Sequence, residues 1–527
     1  MNRLKAKALT KVAGQAWGND QRHRSIVLLT EALRRDPNNP DILLSLATAC
    51  GRQRHYEKAE SLLARLLDLA PGKASIHRRV AQAYAAIDRP ERAMECYRRS
   101  LELNSDTSVT VPTLLELAGL YERRHQLGDA QSVVQEALVR EPANEAALLQ
   151  KAILDRRRGD VAQAESAFRA LAADTAHMWQ TRAQASYELA QLLDGQECYD
   201  NAFDALLAAK RLIKPHAAAA LNKNQDTLMR NQQLIEQLDK SRFDRWRALA
   251  ESDSAYRIAI LTSHPRSGTT LVEQILDSHD DLTSADEFDV FTQWVYLPIV
   301  RRFPSSTPIL SVLDSVPAAV RAKARAKYWE QTEAIFDEPI GQRLLLEKNP
   351  GMMILLPVIY WAFPEMKMLI ALRDPRDVVL SCFMQKVQLT PISSNWLTLA
   401  GTAEYYARAM RTWLTMRTVL PPSPHGAGTE RGGSGEAWLE FRYEDVVADL
   451  EREARRILEF LGLPWDEKVL KFYEHAREKM VRSPTYKDVT QPVYHKSVGR
   501  WQHYAPHFEP ILEKLEPFIK EFGYAIN

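Results

Sequence analysis

The chain is short of the residues that staple a small fold together. Four cysteines occur in 527 residues, at Cys50, Cys96, Cys198 and Cys382. Scattered and without metal-ligand spacing, they argue against a disulfide scaffold and a structural zinc site, and are expected to be small apolar fillers in a reducing compartment. Long apolar runs are missing as well: none approaches the roughly 18–20 residues of a membrane-spanning helix. The opening Met1-Asn2-Arg3-Leu4-Lys5-Ala6-Lys7 is basic, but no apolar stretch follows it. No secretory signal is expected, and the cytoplasm is the expected location. Net charge is almost absent, with 69 Lys and Arg against 68 Asp and Glu. Such a balance gives no reason to expect a nucleic acid as partner, although a local basic cleft remains open.

The length is too great for one compact core, so two or three domains are expected. The first half carries an internal repeat. Ala59, Ala93, Ala130, Ala164 and Ala202 are spaced 34, 37, 34 and 38 residues apart. Pro37 and Pro71 are 34 apart, Pro142 closes a later unit, and Tyr84 and Tyr121 each precede a marker alanine by nine residues. Small residues let two helices approach closely, and proline falls where the second helix must stop. The pattern resembles the tetratricopeptide repeat, a helix-turn-helix unit of about 34 residues that buries its apolar face only against its neighbours. Four clear units are expected between two degenerate ends, near residues 15–37 and 183–215. The resemblance implies a solenoid over 1–215 whose groove takes a peptide, an acceptor or a protein partner; a structural extension or a self-association surface is the other reading. Residues 216–252 read as a polar helical connector with Leu228, Leu234, Leu238, Phe243 and Trp246 on one face.

The second half, 253–527, carries the chemistry. Ile258-Ala259-Ile260-Leu261 reads as a buried parallel strand, and Leu271, Val272, Ile275 and Leu276 recur at helical spacing. Between them lies Ser263-His264-Pro265-Arg266-Ser267-Gly268-Thr269-Thr270. A strand, a tight turn and a helix N-terminus form an anion site, because backbone N–H groups converge there and the helix dipole favours negative charge. The Gly-Lys-Ser/Thr ending of magnesium-dependent nucleotide hydrolases is absent. A threonine stands in place of the lysine, which suits a single phosphate better than a metal-bound triphosphate. Further on come Glu287, Lys348 in Glu347-Lys348-Asn349-Pro350, and Leu372-Arg373-Asp374-Pro375-Arg376-Asp377 followed by Ser381.

This set, from about Tyr256 onward, resembles the sulfotransferases that use 3'-phosphoadenosine 5'-phosphosulfate (PAPS), nearest the tyrosylprotein sulfotransferase branch. The resemblance implies an α/β domain with a parallel central sheet and metal-independent transfer of a sulfuryl group to an acceptor hydroxyl, releasing adenosine 3',5'-bisphosphate. In its terms Ser267, Gly268, Thr269 and Thr270 hold the 5'-phosphate, and Arg266 offsets charge at the sulfuryl group. Glu287 is the general base, with Asp286 and His279 as weaker candidates. Lys348, after the apolar run Leu344-Leu345-Leu346, neutralises the oxygen bridging phosphate and sulfur. Arg373, at the end of the strand Lys367–Leu372, grips the 3'-phosphate together with Ser381. Asp374, Arg376 and Asp377 read as a helix cap and a structural ion pair. Tyr443 stands where the family contacts adenine, and Thr485 and Arg500 where a closing segment wraps the nucleotide; a lysine is more usual at the last position. Peptide tyrosine, carbohydrate and small phenolic or alcohol acceptors all remain open. The Pro/Gly/Ser-rich stretch 421–436 reads as a disordered insertion. Two rivals are a P-loop kinase or hydrolase and a non-enzymatic scaffold with a vestigial nucleotide site.

Overall fold

The computed structural model describes the chain apart from residues 1, 19–20, 54, 88, 105, 249–255, 286, 305–306, 337–338, 421–436, 479–492, 494–495 and 527. It divides into two compact units, Met1–Leu212 and Ile213–Asn527.

The first unit is a run of helices from Asn2–Gly18 to Tyr199–Ile213. Successive helices pack as hairpins, and the leading helix of one hairpin also meets the leading helix of the next: Pro40–Arg52 packs on Ala74–Ala86, and that on Thr107–Arg123. Local chemistry sets the ends. The Asn39 side chain caps its helix by accepting from the Asp41 and Ile42 amides, with Pro40 at the first helical position, and Asp106 and Asn144 cap later leading helices. Pro37, Pro71 and Pro142 each sit one residue past a helix C-cap. The five marker alanines, Ala59, Ala93, Ala130, Ala164 and Ala202, are all 0% exposed, as close helix approach requires.

The first hairpin departs from the sequence reading. Its leading helix is Asn2–Gly18, whereas the pattern placed a degenerate unit near residue 15. That helix fully buries only Ala6, Ala13 and Ala16, with Leu9 and Trp17 half-buried against the core, and so small a set of apolar residues leaves no readable stripe.

The second unit is built on five strands: β1 (Arg257–Thr262), β2 (Leu282–Ser284), β3 (Leu344–Lys348), β4 (Lys367–Leu372) and β5 (Trp438–Arg442). All the pairings are parallel, in the order β2-β3-β1-β4-β5. Ile258, Ala259, Ile260 and Leu261, Leu344 to Leu346, and Met368 to Leu372 are buried. Such near-continuous apolar runs are what strands covered on both faces need. From β1 the chain crosses to β2 and returns through β3 on one side, then continues through β4 on the other. The crevice of an open parallel sheet therefore opens at the carboxyl ends of β1 and its neighbours. β2 has three residues and no alternation, and sequence patterning did not mark it.

The stretch read as a connector packs into this second unit. Helix Ala218–Glu236 sends the Asn231 amide to the Ile354 carbonyl at 3.0 Å and the Thr412 hydroxyl at 3.2 Å. In helix Lys240–Arg247 the Phe243 ring lies 5.0 Å from Tyr360. Leu228, Leu234, Phe243 and Trp246 are buried. Among the described residues, no helix is long and apolar enough to cross a membrane.

Candidate functional site

The crevice is built from the loop after β1. Its root is tied to both flanking strands: the Thr262 hydroxyl donates to the Asn349 carbonyl at 3.0 Å, and the Ser263 hydroxyl donates to the Ala371 carbonyl. The loop then passes through two left-handed residues, Arg266 at φ 75° and Gly268 at φ 91°. A left-handed arginine is uncommon and persists where surrounding bonds hold it. Gly268 has a second constraint, since a Cβ there would lie 2.5 Å from Cδ2 of Tyr443. The helix that follows, Thr269–Asp277, begins with amides that have no carbonyl one turn back. Ser267, Thr269 and Thr270 are buried beside them.

Four sequence-distant residues lock this loop to the end of β4 and the helix after it. Arg373 donates from Nη1 to the Arg266 carbonyl at 3.0 Å and from Nη2 to the Ser497 carbonyl. Its guanidinium carbon lies 4.9 Å from the Tyr443 ring centroid. The Nε of Arg373 is buried and has no hydrogen-bond partner. Arg266 in turn donates from Nε to the Ser381 hydroxyl at 3.1 Å. Arg266, Arg373, Ser381 and Tyr443 thus share one end of the sheet, as do Ser267 to Thr270. A buried arginine edge without an acceptor, a glycine cradle and a helix N-terminus suit a nucleotide with anions at both ends.

The acidic residues after this arginine have structural partners. Asp374 caps the helix Pro375–Phe383 by accepting from the Arg376 amide at 2.9 Å and pairs with the Arg376 guanidinium at 3.0 and 2.7 Å. Arg376 stacks over Trp501 at 3.8 Å. Asp377 accepts from the Gly499 and Trp501 amides at 2.7 and 2.8 Å. Burial outweighs these bonds and pushes its carboxyl up to about 6. Asp377 and Arg373 thereby draw residues 497–501 to the crevice, and Arg500 lies in that segment. Thr485, Asp286 and the insertion 421–436 lie outside the described residues.

On the other side of β1, at the end of β3, Lys348 is fully buried between two carboxylates. Its Nζ lies 2.8 Å from Oε1 of Glu287, a side chain 40% exposed, and 3.2 Å from Oε2 of the wholly buried Glu273. β1 and β3 are paired with Leu261 beside Lys348, so this triad adjoins the strand that carries the loop. Sequence reasoning missed Glu273. Its signal was an acidic residue on the apolar face marked by Val272, Ile275 and Leu276, where an unpaired charge is not tolerated. Glu347, also missed, is buried with its Oε2 accepting from the Tyr328 hydroxyl at 2.6 Å; burial pushes its carboxyl up to about 8. His279 is a structural residue. Its Nδ1 accepts from the Asp281 amide at 3.0 Å and its Nε2 faces the Pro464 carbonyl at 2.9 Å, which leaves neither nitrogen for proton transfer.

Comparison with known proteins follows the same division. A sulfotransferase-family model matches residues 259–467, and tetratricopeptide-repeat models match residues 16–77 and 76–107. An uncharacterized protein of Aquifex aeolicus is 26% identical over 65% of this chain and 42% of its own length. Protein-tyrosine sulfotransferase A of Caenorhabditis elegans is 24% identical over 50% of this chain and 66% of its own. The protein-tyrosine sulfotransferase of Drosophila melanogaster is 26% identical over 49% and 50%. The chain thus spans from under half to about two thirds of the length of these relatives. A solved sulfotransferase domain from the curacin biosynthetic pathway covers 52% of the chain and all of its own, with 17% identity and a TM-score of 0.36. The family match ends short of Thr485 and Arg500.

Proposed function

The chain carries tetratricopeptide repeats and a sulfotransferase domain, and from that premise we propose that it transfers a sulfuryl group from PAPS to an acceptor hydroxyl. The observation that carries the reading is the meeting of Glu287 and Lys348, 61 residues apart in sequence, at 2.8 Å beside the strand that bears the anion loop. In the proposed reaction the acceptor oxygen bonds to sulfur as the bond from sulfur to the bridging oxygen breaks. The electron pair leaves on the 5'-phosphate, where Lys348 offsets its charge, and the acceptor's proton goes to Glu287. Glu273 keeps the buried ammonium compensated while Glu287 becomes neutral. Ser267 to Thr270 hold the 5'-phosphate, and Arg373 with Ser381 takes the 3'-phosphate through the unengaged Nε of Arg373; Arg266, whose Nε donates to Ser381 in this structure, turns from that hydroxyl to the sulfuryl group when the donor binds. Tyr443, Thr485 and Arg500 enclose the nucleoside. No step calls for a metal.

Peptide tyrosine is the first acceptor to test, because a groove built from tetratricopeptide repeats suits a peptide and two of the three relatives are protein-tyrosine sulfotransferases. The repeats, 1–215, bind that acceptor or a protein partner, and 253–527 forms the transferase domain. The proposed setting is cytoplasmic: the buried thiols of Cys50 and Cys96 fit a reducing compartment.

The test is calorimetric titration with adenosine 3',5'-bisphosphate in the absence of metal, beside ATP with magnesium. Micromolar binding of the bisphosphate alone is the expected result. Binding of magnesium-ATP alone would move the chain to the kinases, and binding of neither would make the site vestigial.

A further inference from the structure

His264 is part of the anion loop, yet the proposed chemistry leaves it unused. The residue is 0% exposed, and its ring lies among Tyr405 and Tyr406 at centroid distances of 5.4 and 5.2 Å. Its Nδ1 is 2.8 Å from the Pro265 carbonyl oxygen. A carbonyl can only accept, so Nδ1 carries the proton and Nε2 is the bare nitrogen. Nε2 is buried with no hydrogen-bond partner. Burial also holds the imidazole at about 4, well below its ordinary value, so the ring is neutral. The same Pro265 carbonyl accepts from the Cys382 thiol at 3.5 Å.

Two donors from the interior therefore turn one peptide carbonyl inward at the residue before the left-handed Arg266. No peptide bond in the described chain is cis. In a trans peptide the N–H points opposite to the C=O. With the Pro265 carbonyl drawn inward, the Arg266 amide is aimed the opposite way, away from His264 and Cys382. The next carbonyl, that of Arg266, is fixed by Arg373. One peptide is thus oriented from below and the next from the side.

We propose that His264, assisted by Cys382, is a positioning residue that orients the Pro265–Arg266 peptide so that the Arg266 amide becomes a donor to the 5'-phosphate. This rests on the sulfotransferase reading of the loop. The role belongs to the 5'-phosphate alone, because Arg373 and Ser381 serve the other end of the nucleotide.

Two variants separate orientation from packing. His264→Asn places an amide nitrogen near the position of Nδ1 and keeps the donor. His264→Phe keeps an aromatic ring among Tyr405 and Tyr406 and loses it. The full chain and both variants are titrated with adenosine 3',5'-bisphosphate and, by competition, with adenosine 3'-phosphate, and their melting temperatures are recorded. His264→Phe should weaken the bisphosphate about tenfold or more, the scale of one lost hydrogen bond to a charged group. It should leave adenosine 3'-phosphate within about threefold, and His264→Asn should retain the bisphosphate within the same margin. Equal bisphosphate affinity in His264→Phe and the parent chain would overturn the inference. So would equal weakening of both ligands, which marks a merely structural residue. If the parent chain fails to bind the bisphosphate at all, the sulfotransferase reading falls and this inference with it.

Discussion

Single residues in this crevice are constrained twice over. Gly268 adopts φ 91°, and a Cβ there would lie 2.5 Å from Cδ2 of Tyr443. Gly268→Ala is therefore expected to cost on the order of 1–3 kcal/mol in strain alone and to abolish bisphosphate binding; denaturant melts and calorimetry read the two effects. Glu287→Ala should eliminate transfer while leaving bisphosphate affinity nearly intact, since its carboxylate faces Lys348 rather than the anion loop. Full turnover in that variant would refute the base assignment. Glu347 gives a prediction about pH. Its carboxyl titrates near 8 in the fold and near 4.3 in an unfolded chain. The folded state thus holds a proton that the unfolded state releases, and stability from this group is complete below pH ~4 and declines as pH rises toward ~8. Glu347→Gln should flatten the fall across that window, an effect on the order of a few kcal/mol. Parallel pH-stability curves for the two proteins would refute this account.

At the level of elements, the repeat array and the strand-loop-helix differ in how their sequences encode them. A tetratricopeptide-like hairpin depends on small residues at helix crossings, and Ala93 at 0% exposure leaves no room for a larger one. Ala93→Leu should destabilise the repeat unit by about 1–3 kcal/mol through overpacking while bisphosphate affinity stays unchanged, because the anion loop belongs to the other compact unit. A scanning calorimeter would register a lowered transition for the repeats. The spacing of alanine, tyrosine and proline was readable because every unit solves the same packing problem. The strands β1, β3 and β4 were readable because both faces are buried and their apolar runs are nearly unbroken. β2 escaped notice, since three residues at a sheet edge have no period. The leading helix Asn2–Gly18 left little signal because its fully buried residues are all alanine, with only Leu9 and Trp17 half-buried beside them.

Across the whole second unit, the crevice is held by residues drawn from its full length. Glu444 accepts from the Asp374 amide at 3.0 Å and from the Tyr524 hydroxyl at 2.7 Å, and Arg376 donates to the Ala525 and Ile526 carbonyls at 2.7 and 3.0 Å. The final residues thereby brace the helix that carries Ser381 and Cys382. Tyr524→Phe leaves one carboxylate oxygen of Glu444 without its donor, at a cost of about 1–3 kcal/mol. It should lower the melting temperature and also weaken the bisphosphate; a lowered melt with unchanged affinity would show that the brace does not reach the site.

The sequence by itself determined the repeat period, the three long buried strands, and the identity of the loop, lysine and arginine motifs, because each is written in local spacing and in residue type. Tertiary structure alone decided that Glu273 shares Lys348 with Glu287, that Glu347 is buried beneath Tyr328, that His279 serves a turn, and that His264 and Cys382 turn one carbonyl of the loop inward. Those outcomes rest on burial and on contacts between residues up to 185 positions apart. A pairing at that range is fixed by the order in which strands join the sheet, which local pattern does not carry.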